Sequence, residues 1–171
     1  VPDSSGLFIA AMTNARFVVL SQLFENQPLH ERYTYYRENR SNSLRVQDGQ
    51  FRVALPAAFP VLRNQSNITP VLAEYAAAAA GTGIAQVDPD TDGVVRRAPL
   101  FFRLGAHIYP SLGLSTALVA RGLTLADLAP GTEGKEIVFA RGTNRLVIPV
   151  RRDGSIYVNW RGGVTDAHPR I

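Results

Sequence analysis

A mixed α/β fold, with helices packed on a central sheet that is partly antiparallel, follows from three observations. Stretches with helical apolar spacing alternate with short strand-like runs. Glycine, proline and aspartate punctuate the chain where turns are needed. The last third holds three short strand candidates joined by tight-turn residues, which reads as a C-terminal β-meander. At 171 residues, 46% hydrophobic and 19% charged, the chain is long enough to bury a real core. That composition excludes a disordered tail, a collagen-like repeat and a coiled coil. Residues 1–171 are read as a single domain.

Leu7, Phe8, Ala11, Met12 and Ala15 fall at helical spacing, and Phe17-Val18-Val19-Leu20 follows as a short buried strand. From Glu25 to Gly49 the chain turns polar, with Tyr33, Tyr35 and Tyr36 among charges. The stretch is too long for a simple connection, so it is either a surface insertion with some strand or a flexible excursion. Asp48-Gly49 suits a hairpin turn between Ser43–Gln47 and Gln50–Leu55. Thr69-Pro70 before Val71-Leu72-Ala73-Glu74-Tyr75 and an alanine run predicts a helix start, ended by Gly81.

A strand is expected at Gly83–Val87, a turn at Asp88–Gly93, and a strand at Val94–Arg103 in which Pro99 forces an edge or a bulge. Gly105-Ala106 turns into a short strand ending at Tyr109. A second helix starts near Pro110, carries Leu112, Leu114, Leu118 and Val119, and stops at Arg121-Gly122. Thr124–Leu128 adds one helical turn. The meander strands are Glu136–Ala140, Arg145–Val150 and Ser155–Arg161, jointed at Gly142-Thr143-Asn144 and Asp153-Gly154.

Several chemistries are excluded. Without cysteine there is no disulfide, thiolate metal site or cysteine nucleophile. The longest apolar run, near Tyr75–Ala80, falls far short of the roughly 20 residues that span a bilayer. The net charge is +4, and all but one of the 18 basic residues, Lys135, are arginine. Spread from Arg16 to Arg170 without a dense block, they give no nucleic-acid footprint. Asp88-x-Asp90-x-Asp92-Gly93 matches half of a calcium loop, but Pro99 stands where a bidentate glutamate is needed. The aspartates read better as caps of a turn, and no metal or cofactor is expected. His30, His107 and His168 have no metal spacing, and neither a G-x-S-x-G elbow nor a phosphate-cradling loop is present. No catalytic residue is assigned; a hydrolase built on His107 lacks a positioned nucleophile.

Two groups of side chains are candidates for binding. In a regular strand Arg96 and Arg97 point to opposite faces, so one of them meets the covered face and needs a carboxylate or a bound anion. Asp90, Asp92 and Asp153 are the available acids, and structural pairing is favoured over a ligand site. On the last strand Ile156, Val158 and Trp160 line one side, and Tyr157, Asn159 and Arg161 the other. That Tyr-Asn-Arg row suits a polar ligand or a neighbouring chain; a solvated sheet face explains it equally well.

Three blocks stand in order: Asp90-Thr91-Asp92-Gly93-Val94-Val95-Arg96-Arg97-Ala98-Pro99-Leu100; Tyr109-Pro110-Ser111-Leu112; and Ile148-Pro149 with Asp153-Gly154-Ser155-Ile156-Tyr157-Val158-Asn159-Trp160-Arg161-Gly162. Together they resemble the CHASE type 2 domain, the extracytoplasmic sensing module of bacterial receptors. Leu7–Leu20 is similar to the family's helix and V-V-L strand. Trp160 stands where the family has tyrosine or phenylalanine, and Glu25–Gly49 has no matching wording. The family's opening strand and helix, expected before Val1, are missing, and the start lacks an initiating methionine and a signal sequence, so the chain is read as part of a longer polypeptide.

The resemblance implies a non-catalytic domain outside the cytoplasmic membrane, anchored by flanking helices. It would regulate a cytoplasmic adenylate or diguanylate cyclase, histidine kinase or serine/threonine kinase. It supplies no general ligand, so the motif positions are fold markers only. The expected function is sensory input from a small-molecule or protein signal, with a homodimer among the assemblies it admits. The rival is an interaction or dimerisation module without a small ligand.

Overall fold

The computed structural model describes residues 4–24, 34–49, 51–54, 63–65, 67–129 and 135–159. In chain order the elements are α1 (Ser4–Ala15), β1 (Val19–Phe24), α2 (Thr34–Gln47), β2 (Val53–Ala54), β3 (Arg63–Asn64), β4 (Ile68–Thr69), α3 (Ala73–Ala78), β5 (Gly81–Ile84), β6 (Arg97–Pro99), β7 (Phe101–Leu104), β8 (His107–Pro110) and α4 (Leu112–Ala120). A 3-10 turn (Leu125–Asp127) then leads into β9 (Leu128–Ala129), β10 (Glu136–Arg141), β11 (Asn144–Pro149) and β12 (Ser155–Tyr157). The fold is mixed α/β, as predicted, with its partly antiparallel strands shared among four small sheets: β4-β1-β5, β2-β8-β7-β3, β11-β10-β9 and β12-β6. β1 and β5 run parallel, as do β3 and β7; the remaining pairs are antiparallel.

The β7–β8 hairpin separates two apolar cores, because neighbouring strand residues face opposite ways. Phe101 and Ile108 pack with Leu114, Leu118, Ile137 and Phe139 in the first core. Phe102 and Tyr109 pack with Ile68 and Ile84 in the second. All four hairpin side chains are completely buried, so a one-residue slip would exchange every contact on both faces. The hairpin turns at Gly105 (φ 59°), a left-handed conformation that glycine adopts without a Cβ clash.

α4 follows β8 directly. Ser111 caps it by accepting a hydrogen bond from the Leu114 amide (3.3 Å), and an isolated parallel bridge joins Ser111 to Ile84 of β5. The helix lies unusually close to β5. A Cβ on Gly83 would sit 2.6 Å from Leu112 Cα and 2.9 Å from its nitrogen, and one on Gly81 would sit 2.6 Å from Ser115 Oγ. Beyond α4, Thr124 and Asp127 form a capping box, and Arg141 of β10 clamps Asp127 at 2.7 Å.

Four expectations change. Ser43–Gln47 is helical, not a strand, because Ser43 and Gln47 lie one turn apart on a face that meets other polar groups. Gln22 Nε2 donates to Gln47 Oε1 (3.0 Å) and Thr82 Oγ1 (3.2 Å), while Gln47 Nε2 donates to Ser43 Oγ (3.1 Å). An apolar-periodicity reading cannot detect such a face. Thr69 is not a helix cap: it pairs with Leu23 in β4, and α3 starts at Ala73 with no side-chain cap. Gly81 opens β5 instead of merely ending a helix, so that strand spans Gly81–Ile84. The C-terminal meander is β9-β10-β11; β12 leaves it and pairs with β6, the partner that Pro99 can accept because β12 is the strand bonded to β6 among the described residues.

Gly83→Ala should lower the stability of the domain in urea unfolding by about 3 kcal/mol, the upper end for overpacking a core, because backbone atoms of Leu112 block the added methyl. Gly113→Ala, in the first turn of the same helix with nothing within 4 Å of the added Cβ, should be neutral or stabilise by up to about 1 kcal/mol.

Candidate functional site

The Asp88–Gly93 segment forms the predicted turn. Gly93 (φ 82°) donates its amide to the Asp90 carbonyl (2.8 Å), Asp90 donates to the Val94 carbonyl (2.9 Å), and the Asp92 carboxylate accepts from the Val94 amide (3.1 Å). Its acids then reach for the arginines that follow. Arg96 donates to Asp92 through two nitrogens (2.9 and 2.6 Å) and to Asp90 at 3.3 Å; Arg97 donates to Asp90 at 2.6 Å. The pairing with Asp90 and Asp92 was anticipated; the exposure of both arginines was not. Both arginine side chains are about half exposed, 51% and 48%, so neither meets the covered face. The alternation argument fails because β6 begins only at Arg97, leaving Arg96 free to fold back over the turn.

Asp153 is occupied elsewhere. Its carboxylate accepts from the Ser155 hydroxyl (2.6 Å) and amide (3.1 Å), closing the turn at Gly154 (φ 73°). These bonds, the hydroxyl's first, hold its pKa below the usual value. Tyr157 lies opposite Arg97 in the β12–β6 ladder, and the Val158 amide extends the ladder to the Arg96 carbonyl (2.9 Å). Tyr157 is 66% exposed, with the Arg151 guanidinium 4.7 Å from its ring centroid and bonded to its hydroxyl. Asn159 is exposed. The structure therefore gathers Arg96, Arg97 and Tyr157 on one open surface, with the charges already paired. Arg161, Trp160 and Gly162, like His30 and His168, lie outside the described residues.

The other motif positions are structural. Pro99 pairs with Ser155 at the point where the chain passes from the β12 ladder to β7; the next residue, Leu100, is buried, and its carbonyl accepts from the Ser111 amide (2.8 Å). Tyr109 is fully buried, its hydroxyl 3.0 Å from an Arg52 nitrogen that donates to it, and burial pushes its phenol pKa up. Pro110 is buried beside Ser111, the cap of α4. Arg52 also forks onto Asp48, and His107 stands 3.9 Å from the same carboxylate. Among the described residues no group of three or more His, Asp or Glu gathers as a metal site.

Against the covered side of the β6–β12 ladder lies a groove with a cavity volume of about 540 Å³. Ile156 and Ala98 form one wall, Leu112, Gly113 and Ala117 of α4 another, and Ile148 of β11 a third. The chain emerging from β5, Ile84–Val87, forms its end. This is the carboxyl end of a parallel strand beside a helix amino terminus, a common location for ligands in α/β sheets. Sequence reasoning missed the groove. Its readable trace is the inward alternation of Ile156 and the small residues Gly113 and Ala117 on one helix; the meeting of residues 84–87 with residue 148 is a tertiary fact.

The acidic clasp has a pH signature. Hydrogen bonds from Arg96, and then from the Val94 amide, lower the Asp92 pKa from 3.8 to about 2. A carboxyl depressed in the folded state contributes stability above its unfolded pKa, and that contribution is lost as pH falls through the folded one. An NMR titration should therefore place the Asp92 midpoint near 2, returning towards 3.8 in Arg96→Gln.

The family comparison covers all three motif blocks. The CHASE2 domain model matches residues 8–171, essentially the whole chain. No curated protein and no solved structure matched. CHASE2 domains are sensory, non-catalytic and generally extracellular. With the match spanning the turn, the clasp and the groove alike, the chain belongs to the CHASE2 domain family.

Proposed function

We propose that residues 1–171 form one extracytoplasmic signal-sensing input domain of a bacterial transmembrane receptor that governs a cytoplasmic cyclase or kinase. The family match over residues 8–171 carries this reading, and a groove of ligand-sized volume supports it. A sensor of this kind works by preferential binding: a signal shifts the receptor only if it binds one of two arrangements more tightly, and a shift from 1:99 to 99:1 needs about a 10⁴-fold difference. The groove suits such a role because five separate chain segments meet around it.

Because the chain contains no cysteine, one introduced thiol reports its compartment. Thr143→Cys, at the exposed β10–β11 turn, should add labelling by a membrane-impermeant maleimide in intact cells expressing the full receptor, over that of the receptor with Thr143 unchanged. Labelling that appears only after lysis would overturn the extracytoplasmic assignment.

A second reading, a dimerisation module, is favoured by exposed apolar side chains near the amino terminus: Leu7 and Phe8 on α1 and Phe17 after it. It requires a light-scattering mass that climbs with concentration from 18.6 kDa towards twice that value and falls back in Phe8→Ser.

A further inference from the structure

We propose that Arg52 and Arg96 guard two Asp–Gly pairs, Asp48–Gly49 and Asp92–Gly93, against spontaneous rearrangement to isoaspartate, and that each pair becomes a modification site once its arginine is lost. The chain holds three Asp–Gly pairs, the third being Asp153–Gly154. The first two share the spacing D-G-x-x-R, as Asp48-Gly49-Gln50-Phe51-Arg52 and Asp92-Gly93-Val94-Val95-Arg96; at the third, Tyr157 stands in the arginine's place.

The rearrangement begins when the glycine main-chain nitrogen attacks the aspartate Cγ. An N–Cγ bond forms, the nitrogen gives up its proton, and a carboxyl oxygen leaves as water, closing a cyclic succinimide. Water then opens the ring at either carbonyl, restoring aspartate or leaving isoaspartate, whose main chain runs through Cβ. Two conditions follow. Cγ must swing over the next nitrogen, and the carboxyl must carry a proton so that its oxygen departs as water.

An arginine fork removes both conditions. Arg96 donates to the two oxygens of Asp92 at 2.9 and 2.6 Å, and Arg52 to the two oxygens of Asp48 at 2.5 and 2.9 Å. With both oxygens anchored Cγ is held in place, and the guanidinium favours the ionised carboxylate. Packing gives little other cover: Gly49 and Gly93 are exposed, and among the described residues nothing lies within 4 Å of either Cβ position. The glycine amides do not distinguish the pairs, since those of Gly49, Gly93 and Gly154 each donate to a main-chain carbonyl (2.9, 2.8 and 2.9 Å). Asp153–Gly154 shows the complementary arrangement. The Ser155 hydroxyl and amide reach one oxygen of Asp153, but Gly154 is buried. The fork therefore accompanies the two pairs whose glycines are open to solvent, and burial takes its place at the third.

The test incubates the purified chain near pH 6 and follows isoaspartate at each pair by peptide mapping with electron-transfer fragmentation. The Asp92 pKa, lowered from 3.8 to about 2, leaves roughly 60-fold less protonated carboxyl; allowing for solvent screening at this exposed pair, Arg96→Gln should form isoaspartate at residue 92 about ten-fold faster. Residues 48 and 153 should keep their rates. Arg97→Gln, which releases Asp90 and not Asp92, should leave residue 92 unchanged. In unfolding urea Arg96→Gln and the unchanged chain should react equally at residue 92, because the fork belongs to the fold. Arg52→Gln should expose residue 48 in the same manner, and Arg96→Gln decides the matter alone if losing the Arg52–Tyr109 bond unfolds that variant.

An Arg96→Gln rate equal to that of the unchanged chain would overturn the proposal. So would an equal acceleration by Arg97→Gln, which traces the effect to general loosening of the turn, or an acceleration by Arg96→Gln that persists in urea, which traces it to sequence without the fold.

Discussion

At Gly83 the backbone of β5 comes so close to the first turn of α4 that any side chain would collide with Leu112 Cα at 2.6 Å. The rest of the domain is arranged around that contact. It sets the height of α4 above the parallel β1–β5 pair, fixes the Ile84–Ser111 bridge, and brings Leu114 and Leu118 down into the first core. Close packing of this kind leaves little room for gradual deformation, so movement of α4 relative to β5 requires separation of the two surfaces. The helix is also a wall of the groove, and its geometry is inherited by whatever the groove holds.

The second organising feature is the passage through Pro99 and Leu100. A proline cannot donate to a sheet ladder, so β6 stops and the chain crosses from one sheet to another within a single residue. On one side of this crossing the ladder carries the exposed aspartate–arginine clasp; on the other it lines the groove with Ala98, Pro99 and Ile156. The clasp ties the Asp88–Gly93 turn to the strand that follows. Being exposed, its charges are screened by solvent, and its value lies in fixing the turn's path more than in raw stability.

Much of the fold was legible because its signals are local. Ser111 before an apolar run, Gly93 and Gly154 in their turns, and the Thr124–Asp127 box all express backbone requirements within four residues. Pro99 likewise announced an interrupted strand. The misreadings share a different physics. α2 gives no apolar period to read, since among its described side chains the buried ones are Ser43 and Gln47, and their partners Gln22 and Thr82 are 25 and 35 residues from Gln47. The exposure of Arg96 and Arg97 depended on where β6 starts, and the departure of β12 from the meander depended on which edge lay nearby. The motif blocks were legible; the groove beneath them was not, because its walls converge only in three dimensions.

That polar contact makes α2 a keyed part. Turning the helix by one residue would rotate Gln47 about 100° away from Thr82 and Gln22 and break the hydrogen bonds that join the three side chains. An oily interface tolerates sliding by small steps; a hydrogen-bonded lock does not. Rotation of α2 is therefore opposed by bonds that reach directly into β1 through Gln22 and β5 through Thr82.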